Sequence, residues 1–293
     1  MKGYLIIASG KDYVRQACLC AMSIKHTQTV KNVSIVTNDP VPKKYKSLFD
    51  RIIQIPWIVK GDDTYYLTEQ RWKAFHITPY KETILLDTDM LFLSDVSHWW
   101  DLLDRFDVFL TSKVFTYRNQ TVTSDFYRKA FVENKLPNLY CGVHYFKQND
   151  LALSYYKKLE HVCHNHIDYY KKFVQKSKPK VTNSKGETFI LSSMDVNHAI
   201  TFLHFSDYYG NYSNNIKDIT NDVVGFTHMK SKVQNVNSIG LDWTDTIPYY
   251  MTDDLQLKVG NFLQQGIFHY TENKLCDDVI KKYERQVLWN TLR

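Results

Sequence analysis

Short apolar runs alternate with amphipathic stretches through the first 112 residues of the chain. Runs bounded by turn-forming residues predict buried strands, and stretches with helical spacing predict helices between them. Such alternation with short connections is typical of an α/β fold, in which a mostly parallel sheet is flanked by helices. The predicted strands are Tyr4–Ala8, Val33–Thr37, Ile52–Ile55, Ile84–Leu86 and Val108–Thr111, and the predicted helices are Tyr13–Lys25, Pro42–Phe49 and Thr68–Thr78.

The pattern is less regular after residue 112, although helical spacing and apolar runs still mark individual elements. Polar residues at 177–186 predict a loop, and a stretch rich in Tyr and Asn covers 208–215. Because we find no internal repeat and no flexible linker, we predict one domain of residues 1–293, with a regular half at 1–112 and a less regular half at 113–293. The predicted helices here are Leu151–Lys172, the middle part of Phe189–Phe205 and Leu275–Asn290, and the predicted strands are Val223–Thr227 and Gly266–Tyr270.

The composition is that of a globular protein. The 293 residues are 44% hydrophobic and 23% charged, which is ordinary usage for this class. No apolar run approaches the roughly 18 residues that span a bilayer, and the first predicted strand is too short for a signal-peptide core. The five cysteines are odd in number and irregularly placed, so we expect no disulfide framework and a reducing compartment. These features predict a cytoplasmic protein without a transmembrane segment.

Two carboxylates follow the most apolar of the predicted strands. Ile84–Leu86 runs directly into Asp87 and Asp89, which are separated by Thr88. Alternation along a strand would point both carboxylates to one side and Thr88 to the other. Like charges at a buried strand end stay ionised only if a cation holds them, and oxygen ligands select Mg or Mn. A strand-end turn with two solvated aspartates is the simpler alternative, and the apolar runs on both sides argue against it.

With these elements in this order, the chain resembles the GT-A nucleotide-sugar glycosyltransferases, particularly the retaining group that includes glycogenin and bacterial lipopolysaccharide galactosyltransferases. Residues 4–13 (YLIIASGKDY) are similar to that family's first strand and base-binding loop, and residues 85–96 (LLDTDMLFLSDV) to its metal-binding segment. Residues 141–146 (CGVHYF) resemble its strand beside the donor sugar, and residues 194–198 (MDVNH) its acidic segment on the acceptor side. The likeness covers most of the chain in motif order and is distant in detail.

The resemblance implies a fold, a reaction and roles for individual residues. It implies a Rossmann-like GT-A sheet, a UDP-sugar as donor, and a Mn or Mg ion between the donor diphosphate and the protein. The half at 1–112 would bind the donor, and the half at 113–293 would build the acceptor side. The catalytic residues would be Asp195, Lys73 and Lys274, and the donor-binding residues Ala8, Ser9, Tyr13, Lys73, Asp87, Thr88, Gly142 and Lys230.

The resemblance also implies a C-terminal histidine as third metal ligand, after Asp87 and Asp89. Two residues compete for this role. His269 has the better local pattern, with Gly266 before it and Lys274 after it. His228 has the better spacing after Asp195, with Lys230 close behind. Neither is followed by the glycine and Lys-Pro-Trp of the family, and either histidine could instead be a half-buried, hydrogen-bonded residue at a strand end.

The net charge of +6 and the pI of about 8.8 reflect an uneven distribution of basic residues. The segment Lys147–Lys185 contains nine lysines against three acidic residues, with aromatic side chains between them, as on surfaces that bind a phosphate backbone. For a glycosyltransferase this segment favours DNA as acceptor, in the manner of phage enzymes that glycosylate hydroxymethylated bases. A lipid-linked or surface glycan is the competing acceptor, and a solvated helix face would explain the lysines without a ligand.

Two other classes of function are open to a chain of this composition. A nucleotidyltransferase that makes nucleotide sugars uses a related sheet, but it needs a glycine-rich first loop, and Ala8–Asp12 contains one glycine. A non-enzymatic nucleic-acid-binding protein would use the same basic segment. The oligomeric state is not predicted.

Overall fold

The computed structural model describes residues 1–57, 71–111, 114–120, 140–165, 168, 180–182, 188–190, 236–238, 243–271 and 273–288. The strands are β1 Lys2–Ile7, β2 Val33–Val36, β3 Arg51–Ile53, β4 Glu82–Leu86, β5 Met90–Phe92, β6 Val108–Thr111, β7 Tyr140–Lys147, β8 Lys180–Thr182, β9 Thr188–Ile190, β10 Val236–Ser238, β11 Tyr249–Met251, β12 Leu257–Val259, β13 Phe262–Leu263 and β14 Ile267–His269. The α-helices are α1 Lys11–Thr27, α2 Ala74–Ile77, α3 Trp99–Leu103, α4 Asp150–His164 and α5 Asn273–Tyr283. Short 3-10 helices cover Lys43–Leu48, Arg71–Lys73 and Trp243–Asp245, and a π-helical turn covers Glu284–Leu288.

Six strands form the central sheet in the order β3-β2-β1-β4-β7-β6. The first four are parallel, and β7 runs antiparallel to both β4 and β6. The predicted α/β fold with a mostly parallel sheet flanked by helices is therefore confirmed. The carboxyl ends of β1 to β4 meet at one end of the sheet, which is where ligands bind in folds of this kind.

Alternate residues of the central strands enter two apolar clusters, one on each face of the sheet. Tyr4 and Ile6 of β1 belong to a cluster with α1, α3 and α5, whereas Leu5 belongs to a cluster with α4. This period of two explains why the strands read as continuous apolar runs, since both faces are covered. Helix α1 packs against both β5 and α5 and so joins the middle of the chain to its C-terminal part.

A second, smaller sheet begins where β4 ends. β5 pairs antiparallel with β14, and β10 pairs parallel with the other side of β14. Elsewhere β11, β12 and β13 form an antiparallel meander, and β8 and β9 pair antiparallel. In the part of the chain that the structure describes, no helix is both long and apolar enough to cross a bilayer.

Most of the predicted elements appear within two or three residues of their predicted ends. The predicted helix Pro42–Phe49 is a 3-10 helix, and residues 71–77 of the predicted helix Thr68–Thr78 are helical as 3-10 followed by α2. The helix predicted from Leu151 ends at His164 among the described residues, and Asn165 follows as its cap. The helix predicted at Leu275–Asn290 is α5 and the π-helical turn, up to Leu288.

One prediction in the less regular half is wrong at described positions. The predicted loop 177–186 contains β8, which pairs with β9, and this pairing with a strand of β-branched and aromatic residues stabilises a short strand in a polar segment. The segment Phe189–Phe205 begins in β9, and its middle part, which is predicted to be helical, lies outside the described residues. The predicted strand Val223–Thr227 and residues 191–205 and 208–215 lie outside the described residues.

The four cysteines among the described residues are buried, and no disulfide joins them: Cys18, Cys20, Cys163 and Cys276. Burial raises the pKa of Cys18 and of Cys276 to about 12, so these thiols are protonated at neutral pH and unreactive.

Candidate metal and donor site

The loop between β4 and β5 carries the two carboxylates, and three contacts hold it in place. The Asp87 N–H donates to the Gly142 carbonyl of β7 at 2.9 Å, and the Tyr270 N–H donates to the Asp89 carbonyl at 3.1 Å. The Thr88 hydroxyl points into the protein and donates to Gln16 Oε1 on α1 at 2.9 Å. Asp87 and Asp89 therefore face one side and Thr88 the other, as the alternation predicted.

The pairing of β5 with β14 brings His269 to this loop. In the antiparallel register His269 lies opposite Met90, the residue that directly follows Asp89. Gly266 adopts a φ of 67° at the start of β14, a conformation that glycine reaches without strain. Its N–H donates to Ser94 Oγ and its carbonyl accepts from the Leu93 N–H, which fixes the register.

His269 and both carboxylates form a compact cluster. His269 Nε2 lies 3.0 Å from Asp89 Oδ1 and 3.9 Å from Asp87 Oδ2, and the His269 side chain is 10% exposed. Burial opposes ionisation of Asp89, but the charge and hydrogen bond of His269 and the charge of Arg71 hold the pKa of this carboxyl below its ordinary value. Asp89 is therefore ionised at neutral pH, as a metal ligand must be.

The cluster fits a divalent metal ion. One ligand atom from each of Asp87, Asp89 and His269 lies within 4.8 Å of the others, so small side-chain rotations would let a single ion contact all three. Two carboxylates and one imidazole are the ligand types that oxygen-preferring divalent ions such as Mn accept. A positively charged side chain already contacts one of the carboxylates, which shows that this site favours positive charge.

That side chain is Arg71, which the sequence analysis did not single out. Its Nη1 forms an ion pair with Asp87 Oδ1, and its Nη2 lies 3.5 Å from the Gly142 carbonyl. The Arg71 side chain is 11% exposed, and among the described residues its Nε is buried without a hydrogen-bond partner. A buried guanidinium N–H without a partner is rare in native proteins, so a ligand oxygen at this position would complete its bonding.

The loop after β1 lies at the same end of the sheet. Gly10 has a φ of 98°, and its N–H donates to Asp39 Oδ2 in the loop after β2 at 2.7 Å. Ala8 is buried and Tyr13 is 39% exposed beside Gly10. Ala8, Ser9 and Tyr13, the residues predicted to bind the nucleotide base, therefore lie at the end of β1 and the start of α1, and Asp39 holds the loop between these elements.

Two predicted basic residues contact other groups. Lys73 Nζ lies 5.2 Å from the ring centroid of Trp57 and 5.4 Å from that of Trp72. Burial lowers the pKa of Lys73, although the negative charge of Glu160 acts to raise it. Lys274 Nζ donates to Asp245 Oδ1 at 2.7 Å on the surface. Arg71, which lies two residues before Lys73, forms the ion pair with Asp87.

Three other predicted site residues, Asp195, His228 and Lys230, lie outside the described residues. Gly142, which is predicted to lie beside the donor, is buried. Its carbonyl accepts the hydrogen bond of the Asp87 N–H. His269, the candidate histidine among the described residues, lies with Asp87 and Asp89.

Comparisons with known proteins address the fold. No protein-family model matches the chain, and no curated protein matches its sequence. Mouse xyloside xylosyltransferase 1 in its apo form matches with a TM-score of 0.50 and 12% identity, over 93% of this chain and 99% of that chain. The galactosyltransferase LgtC, in complex with donor and acceptor sugar analogues, matches with a TM-score of 0.46 and 9% identity, over 97% of this chain and 95% of that chain. The glycosyltransferase GlyE of Streptococcus pneumoniae TIGR4 matches with a TM-score of 0.45 and 12% identity, over 98% of this chain and 62% of that chain.

The match to the mouse xylosyltransferase extends over nearly the whole of both chains and shows a shared fold. The chain therefore has a GT-A-type glycosyltransferase fold, with a group of two aspartates and one histidine that is able to hold a metal ion at the carboxyl end of its sheet.

Proposed function

We propose that the chain is a metal-dependent glycosyltransferase that moves a sugar from a UDP-sugar to an acceptor hydroxyl. The observation that carries this proposal is the convergence of Asp87, Asp89 and His269 within 4.8 Å, in a fold shared with a known glycosyltransferase. UDP as the nucleotide is supported by the family resemblance of residues 4–13 and 85–96.

The residues of the cluster have separate tasks in this proposal. Asp87, Asp89 and His269 would hold Mn or Mg, which would offset the negative charge of a departing diphosphate. Arg71 directs guanidinium N–H groups toward donor oxygens from its position beside Asp87, and guanidinium is well suited to phosphate. The loop from Ala8 to Tyr13 holds the base at the neighbouring strand end.

The remaining roles follow the resemblance. Asp195 stabilises positive charge at the anomeric carbon, and the leaving phosphate takes the acceptor proton if configuration is retained. Lys230 or Lys274 would stabilise the charge of the diphosphate; for this Lys274 would have to leave Asp245. Lys73 supports the donor side from its position against Trp57 and Trp72.

Thermal unfolding tests the metal and the nucleotide together. A ligand that binds the native state raises its melting temperature by mass action, so UDP with Mn should stabilise the protein, by about 2.7 kcal/mol at 100 times its Kd. UDP in EDTA should stabilise it much less, because the diphosphate then meets two carboxylates without a cation. Equal stabilisation by UDP in Mn and in EDTA would contradict a metal-bridged donor.

For the acceptor we propose DNA, with Lys147–Lys185 as the segment that follows the phosphate backbone. The support is the density of lysines in the sequence. Five of its nine lysines lie outside the described residues; at its start Lys157 is exposed and Lys158 is half-buried on α4, and Lys147 contacts Asp104 at 3.2 Å. A lipid-linked or surface glycan is the alternative acceptor.

Charge reversal of Lys157, Lys158, Lys171 and Lys172 to Glu should weaken DNA binding strongly and reduce its salt dependence. Each neutralised phosphate contributes about 0.9 to the slope of log affinity against log salt. The loss of up to four phosphate contacts should therefore make this slope less steep. The measurement is duplex and single-stranded DNA affinity at several salt concentrations, with UDP binding as a check on the donor site.

The matched control reverses four exposed lysines outside the segment, Lys31, Lys43, Lys46 and Lys81. It changes the net charge equally and should leave most of the DNA affinity. Transfer to a glycan that survives reversal of the segment lysines, with no salt-dependent DNA binding by the parent protein, would exclude the DNA acceptor.

A further inference from the structure

A buried glutamine connects the loop between β4 and β5, which carries Asp87 and Asp89, to the C-terminal part of the chain. Gln16 lies on the core-facing side of α1 and is 4% exposed. Its Oε1 accepts a hydrogen bond from the Thr88 hydroxyl at 2.9 Å, and its Nε2 donates one to Asn273 Oδ1 at 2.7 Å. The side chain therefore bridges the β4–β5 loop and the first residue of α5.

The position is unusual for a glutamine. Its neighbours on α1, including Val14, Ala17 and Leu19, are buried apolar residues of the core. Burying an amide in such surroundings is unfavourable unless both of its ends are hydrogen-bonded, and here each end has a partner. The amide therefore makes two specific contacts that an apolar side chain of similar length could not make.

Both ends of this bridge lie next to the candidate metal ligands. Thr88 lies between Asp87 and Asp89. The direction in which its side chain is held therefore determines the direction in which the two carboxylates point. Asn273 opens the helix that follows β14, the strand that carries His269. Gln16 thus contacts, through one amide, the segment with the two carboxylates and the segment with the imidazole.

We propose that Gln16 is a positioning residue for the metal site, which holds the Asp87–Asp89 loop in register with the segment that supplies His269. The inference rests on the proposed function, because it requires these three residues to bind a metal ion. The backbone hydrogen bonds from Asp87 to Gly142 and from Tyr270 to Asp89 fix the two ends of the loop. The hydrogen bond between Thr88 and Gln16 fixes its centre.

The competing explanation is a buried hydrogen bond that contributes to stability alone. The two are separated by the affinity for Mn2+ added without nucleotide, measured from the electron paramagnetic resonance signal of the free ion. Gln16→Met keeps the length and helix propensity of the side chain and removes both bonds. Groups that orient metal ligands typically contribute about 10- to 100-fold to metal affinity, and Gln16→Met should raise the Kd for Mn2+ by a factor in that range.

A matched control removes a buried hydrogen bond at the opposite end of the sheet. Tyr80 OH is bonded to Ser34 Oγ at 2.6 Å, and both groups are buried. Tyr80→Phe should lower the melting temperature and leave the Kd for Mn2+ unchanged. Asn273→Ala removes only the outer bond at an exposed position, where folding is not at risk, and should raise the Kd toward the lower end of the same range.

The outcomes are distinct. Mn2+ binding by Gln16→Met that equals the parent, or an equal loss in Tyr80→Phe, would overturn the positioning role while leaving the metal site intact. If Gln16→Met does not fold, unchanged binding by Asn273→Ala overturns it in the same way. A parent protein that binds no Mn2+ would overturn the metal site and the positioning role together.

Discussion

Asp89→Asn is expected to abolish sugar transfer while leaving the fold intact. Asparagine has the same shape and can still accept the hydrogen bond of His269, whose Nε2 lies 3.0 Å from Asp89 Oδ1, but it has no charge to hold a cation. A metal ion at a leaving group contributes several kcal/mol of transition-state stabilisation, so the rate should fall by at least about 10³-fold. The measurement is the initial rate of transfer from a panel of UDP-sugars at saturating Mn.

The control for this substitution is Asp95→Asn, a nearby exposed aspartate that accepts the Ser97 N–H. The chemical change is identical, and transfer should be near that of the parent. An Asp89→Asn protein that transfers at the parental rate, with the same dependence on Mn, would show that this carboxylate holds no metal.

His269→Ala is expected to weaken metal-dependent UDP binding by at least about 10-fold, since removing even a residue that only orients a ligand has an effect of that size. His269 lies between the carboxylates at the end of β14 and is nearly buried. His228→Ala should bind UDP like the parent, because the register of β14 with β5 already brings an imidazole to Asp87 and Asp89.

UDP affinity at saturating Mn distinguishes the two histidines, and the melting temperature without ligands reports any loss of packing. Loss of binding in His228→Ala with normal binding in His269→Ala would reverse the assignment. If both variants bind like the parent, the third ligand is neither histidine.

The sequence predicted the parts of the site that depend on local pattern. The apolar run of β4 and the alternation of Asp87, Thr88 and Asp89 determine which side chains share a face, and the structure has them so. The sequence left the choice between His228 and His269 open, because it depends on which late strand pairs with β5. That pairing is non-local, and no local periodicity encodes it.

Arg71 shows the same limit at shorter range. The sequence offered two basic residues two positions apart and favoured Lys73. The short segment Arg71–Lys73 is a 3-10 helix, with three residues per turn, so the two side chains diverge. Lys73 lies over Trp57 and Trp72, whereas Arg71 reaches Asp87. Gln16 was equally hidden, since a polar residue in an amphipathic helix is ordinarily exposed.

The pairing of β14 with β5 has a consequence for how the site is made. The ribosome releases the chain from its N-terminus, so β1 to β4 and the loop that carries Asp87 and Asp89 leave the ribosome long before β14. Until residues 267–269 add to β5, the two aspartates lack His269, and the proposed metal site lacks its third ligand. Acquisition of Mn2+ during refolding should therefore coincide with docking of the C-terminal segment, which makes the metal a reporter of the last, most non-local step of folding.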